Sequence, residues 1–100
     1  MKLAFRKSGG FAPIFLGCQF DTAAEPGPEM TELEALITES NIITQTGKRV
    51  PQARDVYLYT FEIELNEKKN KVTFDQLSVP PEVKPLLDFC LARAQNMMPD

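Results

Sequence analysis

Asp55-Val56-Tyr57-Leu58-Tyr59-Thr60-Phe61-Glu62-Ile63-Glu64-Leu65 decides the fold, because its side chains change sides at every position. Tyr57, Tyr59, Phe61, Ile63 and Leu65 fall on one side, and Val56, Leu58, Thr60, Glu62 and Glu64 on the other. A period of two belongs to a strand with one face buried and one in water, and aromatic and β-branched residues suit that surface. Such a strand needs neighbouring strands and an apolar layer over its buried face.

The C-terminal side supplies one of each. Asn66-Glu67-Lys68-Lys69-Asn70 predicts a turn, and Lys71 to Gln76 a partner strand with Val72 and Phe74 facing together. Ser78-Val79-Pro80-Pro81-Glu82 breaks the pattern. Val83, Leu86, Leu87, Cys90, Leu91, Ala94 and Met97 or Met98 then recur at spacings of three and four, the stripe of a terminal helix. Pro85 falls in its first full turn, where proline is tolerated if the preceding turn is irregular.

The N-terminal side repeats the scheme. Asn41 to Arg54 shows no sustained period and contains Gly47 and Pro51, which predicts a long loop of the kind that is often functional. Before it, Met30, Leu33, Leu36 and Ile37 predict a helix from Glu29 to about Ser40, with Thr31 and Glu34 fitting a capping box and Asn41 a C-terminal cap. Asp21 to Pro28 is a breaker-rich connection. Lys2 to Ser8 alternates, with Leu3 and Phe5 on one side, and Gly9-Gly10 predicts a tight hairpin because glycine reaches positive φ without a steric penalty. Phe11 to Phe20 is the return strand, with Ile14, Leu16, Cys18 and Phe20 on one side and Pro13 and Gly17 marking an edge or a bulge. The expected fold is α+β: a two-layer sandwich, a four-stranded antiparallel sheet with two helices on one face, in the order ββαββα.

Composition narrows the function. With 100 residues, 43% of them hydrophobic, there is enough material for one compact core and too little for two, so residues 1–100 read as a single domain. A net charge of −3 argues against a nucleic-acid backbone or an anionic membrane surface as partner, since both select basic surfaces. Met1 to Lys7 returns to charge too early for a signal peptide, and no apolar run approaches the roughly 20 residues of a membrane span, so the cytoplasm is the expected compartment. The chain has no histidine, which removes the usual general base and the commonest metal ligand and points to binding instead of catalysis. Neither a metal nor a cofactor is expected. Cys18 and Cys90, distant in sequence and on apolar patterns, read as buried reduced thiols and not as a disulfide. Glu62, Glu64, Glu67 and Asp75 read as ordinary outward-facing carboxylates.

Several blocks, taken in order, carry a family resemblance: Lys7-Ser8-Gly9-Gly10-Phe11-Ala12, Asp21 closing the second strand, and the first helix with its leucines. Later come Asp55-x-Tyr57-x-Tyr59, Val72-Thr73-Phe74-Asp75, and Val79-Pro80 through Leu86-Leu87. Together they resemble the emfourin family of small proteinaceous inhibitors, over almost the whole chain. The resemblance implies a bacterial, non-enzymatic inhibitor of a thermolysin-like zinc metalloprotease, typically encoded beside such a protease, with the zinc belonging to the target. Here the motif continues into apolar Pro13-Ile14-Phe15-Leu16, where members often carry a basic stretch.

Reversible occlusion of a protease cleft needs a stiff extended segment whose binding energy is not spent on ordering. Two segments are candidates. The first is Ser8, Gly9, Gly10 and Phe11, where small residues allow close backbone approach and an aromatic can enter an apolar pocket; its plain reading is a turn with Phe11 tucked into the core. The second is the loop with Ile42, Ile43 and Val50 as anchors and Lys48 and Arg49 as rim charges; its plain reading is a surface connection. The expected state is a monomer or weak dimer. The alternative function is a non-catalytic interaction or self-associating regulatory module that pairs through an open strand edge.

Overall fold

The computed structural model describes residues 1–9, 16–47 and 56–96. Its elements are β1 (Lys2–Gly9), β2 (Leu16–Asp21), α1 (Pro28–Ser40), β3 (Tyr57–Leu65), β4 (Lys68–Asp75), α2 (Lys84–Arg93) and a two-residue β5 (Gln95–Asn96). The four long strands form an antiparallel sheet in the order β4-β3-β1-β2, and β5 adds a short pairing at the β2 edge. The expected α+β fold in the order ββαββα is the observed one.

Register explains why one face is apolar. Leu3 faces Phe20 and Ile63, Phe5 faces Cys18 and Phe61, and Phe61 and Tyr59 face Val72 and Phe74, so the alternating apolar sets of four strands coincide. A slip of one residue in any strand would turn its set outward. Met30, Leu33 and Ile37 of α1 and Leu86, Leu87, Phe89 and Cys90 of α2 join the same buried cluster. Phe5, Phe61 and Phe74 are fully buried, and each such side chain contributes on the order of 2–3 kcal/mol through burial. Their rings meet in sequence, Phe5 to Phe61 at 5.1 Å and Phe61 to Phe74 at 6.4 Å between centroids, so the aromatics of β3 are core residues, as their alternation requires. The other face is polar: a Thr60–Thr73 hydroxyl pair at 3.0 Å and a Lys71–Glu62 ion pair at 3.5 Å cross it.

Several local expectations are revised. In the first hairpin Lys7 faces Leu16, whereas a two-residue Gly9-Gly10 turn would set it opposite Ala12. β2 is described from Leu16, and Phe11 to Phe15 of the expected return strand lie outside the described residues. The second hairpin moves the opposite way: Leu65 faces Lys68, so only Asn66 and Glu67 turn the chain, with Asn66 at φ 57°. Asparagine tolerates that conformation better than most residues.

The first helix ends where its periodicity reads, at Ser40, and only the second stops short of the reading. α1 begins at Pro28, a first-turn position where the missing N–H has no intrahelical acceptor to lose. The Thr31–Glu34 capping box does not form, because Thr31 already lies inside the helix: its hydroxyl donates to the Gly27 carbonyl at 3.1 Å, and Glu34 accepts from the Thr22 hydroxyl at 2.7 Å. Asn41 does cap the C-terminus, in the left-handed region at φ 54°. α2 has Pro85 in its first turn, after a turn closed by Val83 N–H to the Pro80 carbonyl at 3.0 Å. It stops at Arg93, where Ala94 turns extended and Gln95–Asn96 run along Gly17 and Leu16. Met97 and Met98 lie outside the described residues.

Candidate functional site

One end of the sheet gathers the described flanks of both candidate segments. Gly9, the last residue of β1, faces Tyr57, the first of β3, and Lys7 faces Leu16, the first of β2. Gly9 has φ +95°, and a Cβ there would lie 2.8 Å from the Val56 carbonyl oxygen. The glycine thus serves both a positive φ and a close backbone approach, and the chain leaves β1 beside the place where it enters β3. Ser8 is half-buried opposite Leu58. Gly10, Phe11, Lys48, Arg49 and Val50 lie outside the described residues.

The entry to β3 is held firmly. Tyr57 donates its N–H to the Gln76 side-chain oxygen at 2.7 Å and accepts from the Gln76 N–H at 3.0 Å, so Gln76 extends the β3–β4 ladder by one residue. Lys7 lies on the helix-facing side of β1, with its ammonium 4.1 Å from the Tyr57 ring centroid. That contact shelters an amine on an otherwise apolar face, a cation resting on the negative face of the ring. Tyr59, one step inward, has its phenol pushed above the ordinary value by burial, with Tyr57 adding to the shift.

Leu77 is a residue the sequence reading passed over. It is a large apolar side chain left 64% exposed, on the turn after β4, next to the Gln76 that clamps Tyr57. Its N–H is tied to the Asp75 carboxylate at 2.8 Å, which fixes the turn from which it projects. Asp75 is itself buried, 1% exposed, and not outward-facing as its place after Phe74 suggested. A signal for Leu77 existed in the chain: an isolated leucine between the end of an alternating run and a Pro-Pro pair serves neither the strand nor the helix stripe.

The described part of the second candidate segment, Asn41 to Gly47, is more integrated than a surface loop. Ile42 is fully buried in the core, so its side chain cannot act as an anchor for a partner, and this corrects the expectation. Ile43 is half-buried against the same cluster. Asn70 of β4 donates to the carbonyls of Ile42 and Gln45 at 2.9 and 3.0 Å, and Gln45 donates to the Ser40 carbonyl and to Glu82, each at 3.1 Å. Gly47 then presses on β4 so closely that a Cβ would stand 2.5 Å from the Thr73 carbonyl oxygen. From Asn70 to Thr73 the segment, up to Gly47, therefore follows β4 toward the end of the sheet where Tyr57 begins β3.

Other features fit a ligand less well. An open depression of about 940 Å³ spans Lys2, Gln19, Asp21, Glu25, Glu62, Glu64, Lys69 and Lys71, but its rim mixes both signs of charge. Among the described residues no group of three or more Cys, Asp or Glu side chains could hold a metal ion, and no helix is long and apolar enough to cross a membrane.

In comparison with known families, the emfourin family model aligns with residues 5–91, from the middle of β1 through nearly all of α2. No curated protein matches the chain.

Proposed function

The chain belongs to the emfourin family, a family of protease inhibitors, and on that premise we propose that it inhibits a thermolysin-like zinc metalloprotease by reversible occlusion of the active-site cleft. The inhibitor performs no chemistry; the zinc is the target's. The observation that carries the reading is the convergence at one end of the sheet, where Gly9 abuts Val56 and the flanks of both candidate segments emerge from β1 and β3. These are the two inner strands of the four, each with a long partner on both sides. A binding segment rooted in such strands loses little freedom on docking.

We assign contact to Ser8, Gly9, Gly10 and Phe11, with Lys48, Arg49 and Val50 from the second segment and Ile43 at its margin. Leu77 joins them as an exposed apolar side chain at the same end. Thermolysin-like clefts take a bulky apolar side chain just beyond the scissile position, a role that Phe11 suits in this reading.

Titration of a thermolysin-like protease with the full chain tests this. Activity is expected to fall stoichiometrically, Phe11→Asp and Leu77→Asp to weaken inhibition by at least about tenfold, and both variants to retain the wild-type melting temperature. Ile42→Asp is unsuitable as a probe because it buries a charge. Absence of inhibition by the wild-type chain across several such proteases overturns the proposal.

A self-pairing module is favoured by one observation: β5 covers only Leu16 and Gly17 of β2, and no other strand among the described residues pairs with the outer edge of β2. Light scattering across a wide concentration range separates the two readings, since the inhibitor is expected to remain a monomer.

A further inference from the structure

Cys18 and Cys90 are separated by 72 positions in sequence yet meet in the fold. Cys18 sits on the helix-facing side of β2, opposite Phe5, and Cys90 on the buried face of α2. The Cys18 thiol lies 3.7 Å from the Cys90 carbonyl oxygen, to which it can donate. The contact is braced by the neighbouring Phe20 and Phe89 rings, packed edge to face at 5.7 Å. Both thiols are free. Cys18 is half-buried and Cys90 fully buried, so an oxidant from solvent reaches the first more readily than the second.

We propose that Cys18 and Cys90 are a peroxide-responsive thiol pair, with Cys18 the attacking sulfur and Cys90 the resolving one, closing reversibly to an intramolecular disulfide between β2 and α2. The Cys18 thiolate attacks one oxygen of hydrogen peroxide, the O–O bond breaks, and the departing hydroxide takes up a proton to leave as water. Cys18 is then a sulfenic acid. The Cys90 sulfur attacks the Cys18 sulfur, the S–O bond breaks, and the leaving hydroxide carries away the Cys90 proton as a second water. Overall the two thiols lose two electrons and two protons, and the peroxide is reduced to two waters.

The electrostatics favour Cys18 over Cys90 as the attacking sulfur. A hydrogen bond from the Cys90 thiol holds the Cys18 thiol below its ordinary value, and the Arg93 cation adds to the effect, while burial opposes it. The same hydrogen bond, followed by burial, pushes Cys90 upward. A depressed thiol beside a resolving partner is the arrangement that peroxide-sensing cysteines require. Arg93 is itself fixed, with its Nε 2.6 Å from Glu29 and its guanidinium 3.6 Å from the centroid of the Phe89 ring.

The test uses the full wild-type chain under native conditions, treated with hydrogen peroxide at neutral pH. Expected are loss of both titratable thiols, a linked Cys18–Cys90 peptide in a non-reducing digest, and a monomer lighter by two hydrogens. The melting temperature is expected to rise by about 5 °C or more and to return on treatment with dithiothreitol. In Cys90→Ser, dimedone is expected to label Cys18 after peroxide, and in Cys18→Ser the Cys90 thiol is expected to stay unmodified. Two thiols still titratable in the oxidised wild type, disulfide-linked dimers in place of the monomer, or preferential labelling of Cys90 would each overturn the assignment.

Discussion

Gly9 and Gly47 show how a residue without a side chain can carry architecture. Each lets one stretch of backbone lie against another, Gly9 on Val56 and Gly47 on Thr73, and Gly9 adds a φ of +95° that other residues reach only with strain. Gly9→Ala is therefore expected to cost about 1–3 kcal/mol, read as a lower urea midpoint, and to weaken any inhibition because the exit from β1 must shift. A stability change below about 0.5 kcal/mol, the range of neutral surface changes, would show that the close approach is dispensable. Ile42 makes the complementary point. Its aliphatic character was plain in the sequence, but whether it faced a partner or the core depended on Asn70, a residue of another element that captures the Ile42 carbonyl.

At the scale of elements, α1 and α2 pack together over the sheet and are joined at their outer side by Arg93. This one side chain pairs with Glu29 at 2.6 Å, covers the Phe89 ring, and donates to the Phe89 carbonyl at 3.0 Å. Removing the two partners of the ion pair should consequently differ in effect. Glu29→Ala deletes only a partly exposed ion pair and is expected to cost about 0.5 kcal/mol, less in high salt. Arg93→Ala also removes the guanidinium from the ring and from the carbonyl, and is expected to cost about 1–2 kcal/mol with little salt dependence. Equal losses in chemical denaturation would mean that the ring contact contributes nothing. The first hairpin belongs to this scale as well: Lys7 faces Leu16, so its register is not that of a two-residue Gly9-Gly10 turn.

For the molecule as a whole, the sheet order puts β1 and β3 in the middle, with the ends of both candidate segments attached to them. Stability should therefore be graded. Amides of Phe5 and Phe61 are expected to exchange with solvent only through global unfolding, and those of the two-residue β5 to exchange soonest among the strands. Hydrogen exchange followed by nuclear magnetic resonance checks this, and β1 exchanging as quickly as β5 would contradict a rigid platform. Such a gradient suits an inhibitor, since ordering that is already present in the free protein does not have to be supplied on binding.

Fold class was legible because period-two and period-three-to-four patterns are local: Tyr57 to Leu65 declares one buried face, and Met30 to Ile37 one apolar stripe, without reference to any neighbour. The family resemblance was legible for the same reason, since its blocks are short and ordered along the chain. Register was not. The alternation of Leu16, Cys18 and Phe20 is compatible with several hairpin lengths that keep the same parity, and only packing of Cys18 opposite Phe5 and of Phe20 against Phe89 chose one. The burial of Ile42, the exposure of Leu77 and the meeting of Cys18 with Cys90 are likewise relations between distant segments. Sequence by itself determined which residues seek burial and in what local geometry; tertiary structure alone decided which of them find it, because the number of places under two helices is finite and long-range contacts compete to fill it.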